Sequence, residues 1–585
     1  MSELEKYNLA LRTGLYPKGF VRIGHILETY IEPPVWVNLR QFLLGNWWGI
    51  LIVTAVIFWL YKVSNSVNGN TRFKSLKWVW VPLTAGLIIF GWQLKNIPPA
   101  VYTDEAVTGY NAYSVLLTGR DEYGQTMPIL FKYLGSWLPG LNIYLMVPLI
   151  KIWGLNATGI RLQSVIFGEL LILVIYAVVR LKTKCGRTAF WGTLFIAITP
   201  WVVFYARTGY ETILGIMLTG AGVGLIGRGG KKIGNVLWGF TALILSTYDA
   251  HVFRYLFPIL LLGWVIIYRE DLKNWTGSQR IKFVSLLVIG NFCNLWLILT
   301  PAFWVKNLVY KDAGLLQIVI NVWTQIKIYL TPVTFFGQAG DIDLQHRIPG
   351  LGLYYWWMIF PIGLGILGWI RRWRKNIWWW YLLAVSAIPA VLSGAFISTQ
   401  RAVGLIIPFG LVMAEGLRRF NKWLLICLFI YSGVLLWRSY FVLFPGLSQE
   451  AWNYGYGQLA EVIKGNPGAK FVIDNSRNPR NYILELFYTA YSPDVYQLTS
   501  RSEIKGNYYY SGATQDDHKF VNIEFRPIVW KTDECRQEIL AGDELAISGG
   551  QAREHRLTKL GEVRSQTGKM LLQWYRTNPE QKCKI

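Results

Sequence analysis

Two adjacent carboxylates, Asp104 and Glu105, stand in VYTDEAVTGYNAY (101–113), directly after an apolar run and among the phenols Tyr102, Tyr110 and Tyr113. A carboxylate beside apolar surface takes up a proton more readily than one in water, which suits it to accept one from a hydroxyl. At the start of a helix the same pair also suits the dipole and the unpaired N–H groups there, so catalysis and capping are both open. Further on, YARTGYE holds Arg207 and Glu211. A guanidinium fork matches phosphate oxygens, though an arginine at a membrane boundary also snorkels to headgroups. STYDAHVFRYLFP (246–258) offers Tyr248, Asp249, His251 and Arg254, either as a site or as an interfacial belt. GDIDLQHRIPG (340–350) holds Asp341, Asp343, His346 and Arg347. Acids and a histidine so spaced could ligate a divalent metal, but acidic loop residues more often bond their own turns. STQRAVG adds Gln400 and Arg401.

The elements that must position these residues are apolar. The 585 residues are 53% hydrophobic with 29 tryptophans, and 16% are charged, against about a quarter in soluble proteins. Repeated runs of roughly 20 apolar residues are each long enough to cross a bilayer core. They fall near 43–62, 77–95, 162–181, 188–206, 210–226, 233–248, 253–268, 282–300, 351–370, 377–395, 402–417 and 422–444. The net charge of +24 does not indicate nucleic acid, because it is spread over short connections rather than gathered on one soluble module. RLKTKCGR, GRGGKK, YREDLKNWTGSQRIK, RRWRK and RRFNK recur at every second connection, the pattern of cytoplasmic loops. The chain is therefore expected to be mostly α, a polytopic transmembrane helical bundle of about 11–13 spans.

The alternate connections then face outward, and they carry the residues above. In the first outer loop (96–161) a short helix is expected over 104–118. The Pro-broken LPGLNIYLMVPLIKIW (138–153) is expected to lie in the interface. An N-terminal segment (1–75) with one extra hydrophobic span precedes the main module (76–444). The tail, 445–585, alternates strand-like KFVIDN, YILELFYTAY and KFVNIEF with helical LAEVIKG, which predicts an extracytoplasmic α/β domain. Cys535 and Cys583 share this tail and are open to pairing or to remaining thiols. Residues 1–40 are polar and mixed and show no cleavable signal. Glu169 lies alone within a span.

The stretches NIPPAVYTDEAVTGYNAYSVLLTGRDEYGQTMPILF (96–131), GLNATGIRLQSVIFG (154–168), YARTGYE, HRIPGLGLYYW and STQRAVGLIIP resemble the GT-C superfamily of polyprenyl-phosphate-dependent glycosyltransferases. The likeness is to bacterial relatives of protein O-mannosyltransferases and aminoarabinose lipid A transferases. It implies inverting transfer of a sugar, a hexose or related sugar, from a polyprenyl-phosphate donor at the extracytoplasmic face. The acceptor would be a hydroxyl of a protein, lipid or glycan. Asp104 matches the family's base and Glu105 the neighbour that helps hold the acceptor. Arg207 matches the arginine on the donor phosphate; Arg254 and Arg401, arginines at the same outer boundary where the charge rule disfavours them, are expected as further phosphate contacts. Tyr102, Tyr110, Glu211, Tyr248, His251, His346 and Arg347 complete the expected substrate wall. No cofactor is implied, and a divalent metal remains a lesser option.

The chemistry agrees with that expectation. A phosphate leaving group needs cationic stabilisation rather than a proton, and arginine supplies it. The chain has no Gly-rich phosphate loop, as suits a donor that is not a nucleotide. Two other classes stay open: a lipid-linked sugar flippase or polysaccharide ligase, and a non-catalytic membrane scaffold with an external binding domain. Transporters of the first kind commonly show paired repeats and midplane charges, and no repeat is evident here.

Overall fold

The computed structural model describes residues 78–583 apart from 134–135, 305–313, 338–343, 393–397, 500–505, 511–517 and 521, and is mostly helical. The expected span at 43–62, the rest of the 1–75 segment, Asp341 and Asp343 lie outside these residues. The longest helix, Ala157–Thr183, begins where the Asn156 side chain accepts the Gly159 N–H at 3.0 Å. It ends at Lys184, whose left-handed backbone returns its N–H to the Arg180 carbonyl at 2.9 Å. Its 27 residues rise about 40 Å, more than the apolar core of a bilayer. Lys422–Leu447 is the second helix long and apolar enough to cross.

The run expected as a straight span over 188–206 is instead broken. Gly186–Ala197 and Pro200–Ala206 meet at 64°. Pro200 has no N–H for the ladder and pushes Thr199 out of the helical region, so one helix must stop and another start. Trp80–Gly91, Thr212–Ile226, Ile233–Thr247, His251–Ile267, Trp356–Arg371 and Val403–Leu417 are apolar helices of 10–17 residues. The runs at 282–300 and 377–395 are also divided, into Gly277–Gly290 with Phe292–Leu297 and Ile377–Val385 with Ile388–Val391.

Hydrogen bonds sort the connections into two ends of the bundle. At one end Lys182 reaches Glu415 and Asn376, and Arg187 donates to the Phe420 carbonyl. There too Tyr268 donates to the Gly227 carbonyl, Gly230 N–H to Asp271, and Trp378 to the Val223 carbonyl. The basic connections near 182–187, 227–232, 268–275, 371–376 and 415–420 therefore lie together. At the other end Leu141 N–H meets the Tyr248 carbonyl at 2.9 Å, Tyr205 meets Thr399 at 2.9 Å, and Gln400 donates to Glu211 at 3.2 Å. Large apolar side chains face outward between the ends, among them Leu262, Val288, Ile289, Phe292 and Ile430. A surface of that kind belongs in lipid, and this is a membrane protein.

The connection expected over 301–350 contains a further helix, Leu315–Leu330. Leu315, Leu316, Val319, Ile320 and Trp323 form an exposed apolar stripe along it, at helical spacing. The first outer loop holds the helix Thr103–Thr118, the antiparallel hairpin β1 (Leu130–Tyr133) and β2 (Ser136–Pro139), and the helix Leu141–Trp153.

The tail forms a six-stranded mixed sheet. Its strands are β3 (Lys470–Ile473), β4 (His518–Phe520), β5 (Ile523–Phe525), β6 (Glu538–Gly542), β7 (Thr558–Arg564) and β8 (Met570–Arg576), in spatial order β4-β5-β3-β6-β8-β7. β3 runs parallel to β5 and β6, and the remaining pairs are antiparallel. YILELFYTAY, expected to be strand-like, is the helix Tyr482–Thr489. One face of it packs on the Thr103–Thr118 helix, so close that a Cβ on Gly109 would stand 2.8 Å from the Phe487 ring. KFVNIEF is likewise two strands, β4 and β5, paired as a hairpin. Cys535 and Cys583 form a disulfide. Tail and first outer loop share one apolar core, in which Val107, Tyr110 and Ile160 join Leu459, Phe471 and Phe487.

Candidate active site

A cavity of about 640 Å³ opens where the first outer loop, the helix turns at that end of the bundle and the tail meet. Tyr102, Asp104 and Tyr133 line it from the loop; Glu211, Thr212, His251 and Tyr255 line it from the bundle. His346, Gln400 and Arg401 close a further side, and Arg480 reaches in from the tail. Trp137, Phe253, Trp304 and Leu392 supply apolar wall.

The adjacent acids of the Thr103–Thr118 helix point to different places, because neighbouring helix positions diverge by about 100°. Glu105 is completely buried. Arg161 grips it with two parallel bonds, Nε to Oε1 at 3.0 Å and Nη2 to Oε2 at 2.8 Å. Gly209 N–H donates to the same carboxylate at 2.6 Å, and Tyr102 N–H at 3.2 Å, which caps the helix. Gly119 ends that helix with φ +69°, a conformation costly for a residue with a Cβ. Asp104, half-buried, faces the cavity and accepts a hydrogen bond from the Tyr133 hydroxyl. Burial, and then the Asp104 carboxylate itself, push the Tyr133 phenol far up, so it stays protonated and remains the donor.

Arg207 does not line the cavity. Its guanidinium is fully buried, and it donates to the carbonyls of Ile89, Phe90, Trp92 and Ile97, at and beyond the C-terminus of the Trp80–Gly91 helix. Those carbonyls lack partners within their own helix, and a cation is favoured at that end. Arg254 also stands behind the lining. It donates from Nη1 to His251 Nδ1 at 3.5 Å, and its guanidinium lies 5.0 Å from the Phe303 ring. His251 then donates from Nε2 to the Trp137 carbonyl at 2.6 Å, so the imidazole is held between Arg254 and Trp137, while Arg254 Nε and Nη2 are buried with no hydrogen bond among the described residues. Of the expected arginines, Arg401 is the one on the cavity wall.

Of the other expected contacts, Tyr102, Glu211, His251 and His346 line the cavity. Tyr110 does not: it is buried between loop and tail and donates to the Tyr491 carbonyl at 3.1 Å. Tyr248 donates to the Gly290 carbonyl at 2.7 Å, and Arg347 borders a separate small crevice with Trp201 and Tyr205. The sequence alone does not single out Tyr133, Arg161 or Arg480. Arg161 lies in the quoted GLNATGIRLQ stretch, where a lone arginine early in an apolar helix was the available signal. Nothing local marks Tyr133 or Arg480, which chain folding brings to Asp104. Among the described residues, the one group with metal-ligand spacing is Glu534, Cys535 and Cys583, and its two sulfurs are joined to each other.

No family model and no curated protein sequence matches the chain. Among solved structures, ArnT from Cupriavidus metallidurans in the apo state is 10% identical with a TM-score of 0.51, over 88% of this chain and 100% of that one. ArnT bound to undecaprenyl phosphate is 11% identical with a TM-score of 0.49, over 86% and 98%. The archaeal oligosaccharyltransferase AglB from Archaeoglobus fulgidus, in complex with an inhibitory peptide and a dolichol-phosphate, is 11% identical with a TM-score of 0.45, over 71% and 64%. ArnT and AglB are both GT-C superfamily membrane glycosyltransferases. The chain shares the fold of apo ArnT over the 88% of its length that the two structures match.

Proposed function

We propose that the protein is a membrane glycosyltransferase that moves a sugar from a polyprenyl-phosphate donor to an acceptor hydroxyl, with Asp104 as general base. The observation that carries this is the parting of the acidic pair. Glu105 is spent on Arg161 and the backbone, whereas Asp104 lies in a large cavity whose other walls bring arginines. The ArnT-like fold and the sequence resemblance support the reaction class.

In this mechanism the acceptor hydroxyl gives its proton to Asp104 as its oxygen attacks the anomeric carbon. The bond from that carbon to the phosphate oxygen breaks, and the electron pair leaves on the phosphate. One displacement inverts the anomeric centre. Tyr133 orients Asp104 by its hydrogen bond. We assign the leaving phosphate to Arg401, because the Nη groups of Arg207 already serve backbone carbonyls. Arg480 and His251 stand on the same cavity and complete the polar wall.

We place the cavity and the tail outside the cell. The basic connections gather at the opposite end of the bundle, and a disulfide closes the tail, as suits an oxidising compartment. With that orientation, 76–444 is the catalytic module and 445–585 the outer domain that completes its cavity.

Asp104→Asn keeps the shape of the side chain and removes the base. Transfer is expected to fall about 100-fold or more, measured as polyprenyl phosphate released from a panel of polyprenyl-phosphate sugars. Donor binding and melting temperature should stay near wild type. A variant that transfers normally would eliminate the base assignment and favour a flippase or scaffold.

A further inference from the structure

We propose that a second cavity, at the far end of the bundle, binds the phosphate of an anionic phospholipid headgroup. It has a volume of about 440 Å³. Lys182, on its wall, lies 21 residues beyond Arg161 on one helix, about 30 Å along the axis from the Glu105 pair. The two cavities are therefore separate sites.

Five cations line it, Lys182, Arg372, Lys375, Arg418 and Arg419, against one carboxylate, Glu415. Lys182 is already satisfied: it pairs with Glu415, donates to Asn376 at 3.0 Å, and stands 4.5 Å from the Trp369 ring centre. That pairing removes the sole acid. Arg372, Lys375, Arg418 and Arg419 are exposed at the rim, and none of them makes an ion pair among the described residues.

Basic loops alone would spread their charge over the surface, since like charges repel. Here three connections, 182–187, 371–376 and 418–422, converge on one concavity, while the equally basic 227–232 and 268–282 contribute nothing to its lining. The floor is bare helix. A Cβ on Gly368 would meet no atom within 4 Å, and Gly365, one turn earlier, packs straight onto the Val412 carbonyl. Leu364 and Trp379 add apolar wall beneath the charged rim. A cationic mouth over an apolar trough, at the end of membrane-spanning helices, matches a headgroup phosphate with the start of its acyl chains.

The full-length protein in detergent can be titrated with short-chain phosphatidylglycerol, phosphatidylcholine and inorganic phosphate, with occupancy read by native mass spectrometry. Phosphatidylglycerol is expected to bind about tenfold or more tightly than phosphatidylcholine, and Arg372→Gln with Arg418→Gln should remove that preference. Gly368→Leu fills the trough without altering charge and should weaken binding comparably, which guards against misfolding of the charge variant. Displacement of the lipid by inorganic phosphate would assign the site to phosphate from either source; failure to displace it would assign the lipid alone. Equal binding of the two lipids, or unchanged binding in both variants, would overturn the proposal.

Discussion

Glu105 and Arg207 show how the most conspicuous charged residues of a sequence become internal fittings. Each is a strong hydrogen-bonding group at a place where backbone groups lack partners. Arg161 holds Glu105 and also donates to the carbonyls of Leu94, Pro98 and Ala100, so one guanidinium ties the long Ala157–Thr183 helix to the peptide leading into Thr103–Thr118. Arg207 does the same for the end of Trp80–Gly91. Asp104 and Arg401 face the cavity instead, and they are the groups to which the proposed reaction is assigned. Arg207→Gln and Arg401→Gln therefore separate two roles. Arg207→Gln strands buried carbonyls and should lower stability by about 3 kcal/mol, seen as a lower melting temperature. Arg401→Gln should melt as wild type and lose donor affinity about tenfold. The reverse pattern would return the phosphate to Arg207.

At the scale of elements, the turn DEYG after the Thr103–Thr118 helix is the joint between loop and tail. Asp121 is fully buried there and accepts the N–H groups of Tyr123 at 3.0 Å and Gln125 at 2.8 Å, with the Tyr508 hydroxyl on its other oxygen. Burial outweighs these bonds and raises the carboxyl from 3.8 to about 6. Glu122 beside it is pushed well up, first by burial and then by Asp121. The sign follows from proton linkage. Between about 4 and 6 Asp121 in the folded joint holds a proton that the unfolded chain has released, so stability falls as pH rises through this window, and Glu122, raised as well, adds to the fall. Thermal melts across that range should show the joint most stable at the acid end. Asp121→Asn should lessen this slope, and a slope of the opposite sign would disprove the assignment.

At the scale of the molecule, the tail is a wall of the cavity and not an appendage. Asn453 donates to Thr103 at 3.1 Å, Tyr488 accepts the Val101 N–H at 2.9 Å, and Arg480 lines the cavity beside the Asp104 helix. Loosening the tail should therefore disturb the site. The Cys535–Cys583 bond spans 48 residues, a loop whose closure stabilises by about 4 kcal/mol if chain entropy dominates. Cys535→Ser, or reductant added to wild type, should lower the tail's melting temperature and raise the acceptor KM together. A melt insensitive to reductant would show that the bond does not brace the domain.

How much of this was legible in sequence depended on range. Apolar runs and basic connections are local patterns dictated by lipid and by charge, so the helical class, the helix at 104–118 and the gathering of candidate residues could be read directly. The break at Pro200 was also local, yet it was hidden by an unbroken apolar run. YILELFYTAY could not be assigned from its residues alone, because a buried helix and a buried strand both consist of apolar side chains. The amino-acid order thus determined that a carboxylate pair and several arginines would meet at one end of an apolar bundle. Only tertiary structure decided that Asp104 faces the cavity while Glu105 turns to Arg161, and that Arg480 arrives from a segment over 370 residues away. The physical reason is that orientation and long-range pairing are settled by which buried group finds a hydrogen-bonding partner, and those partners are distant in the chain.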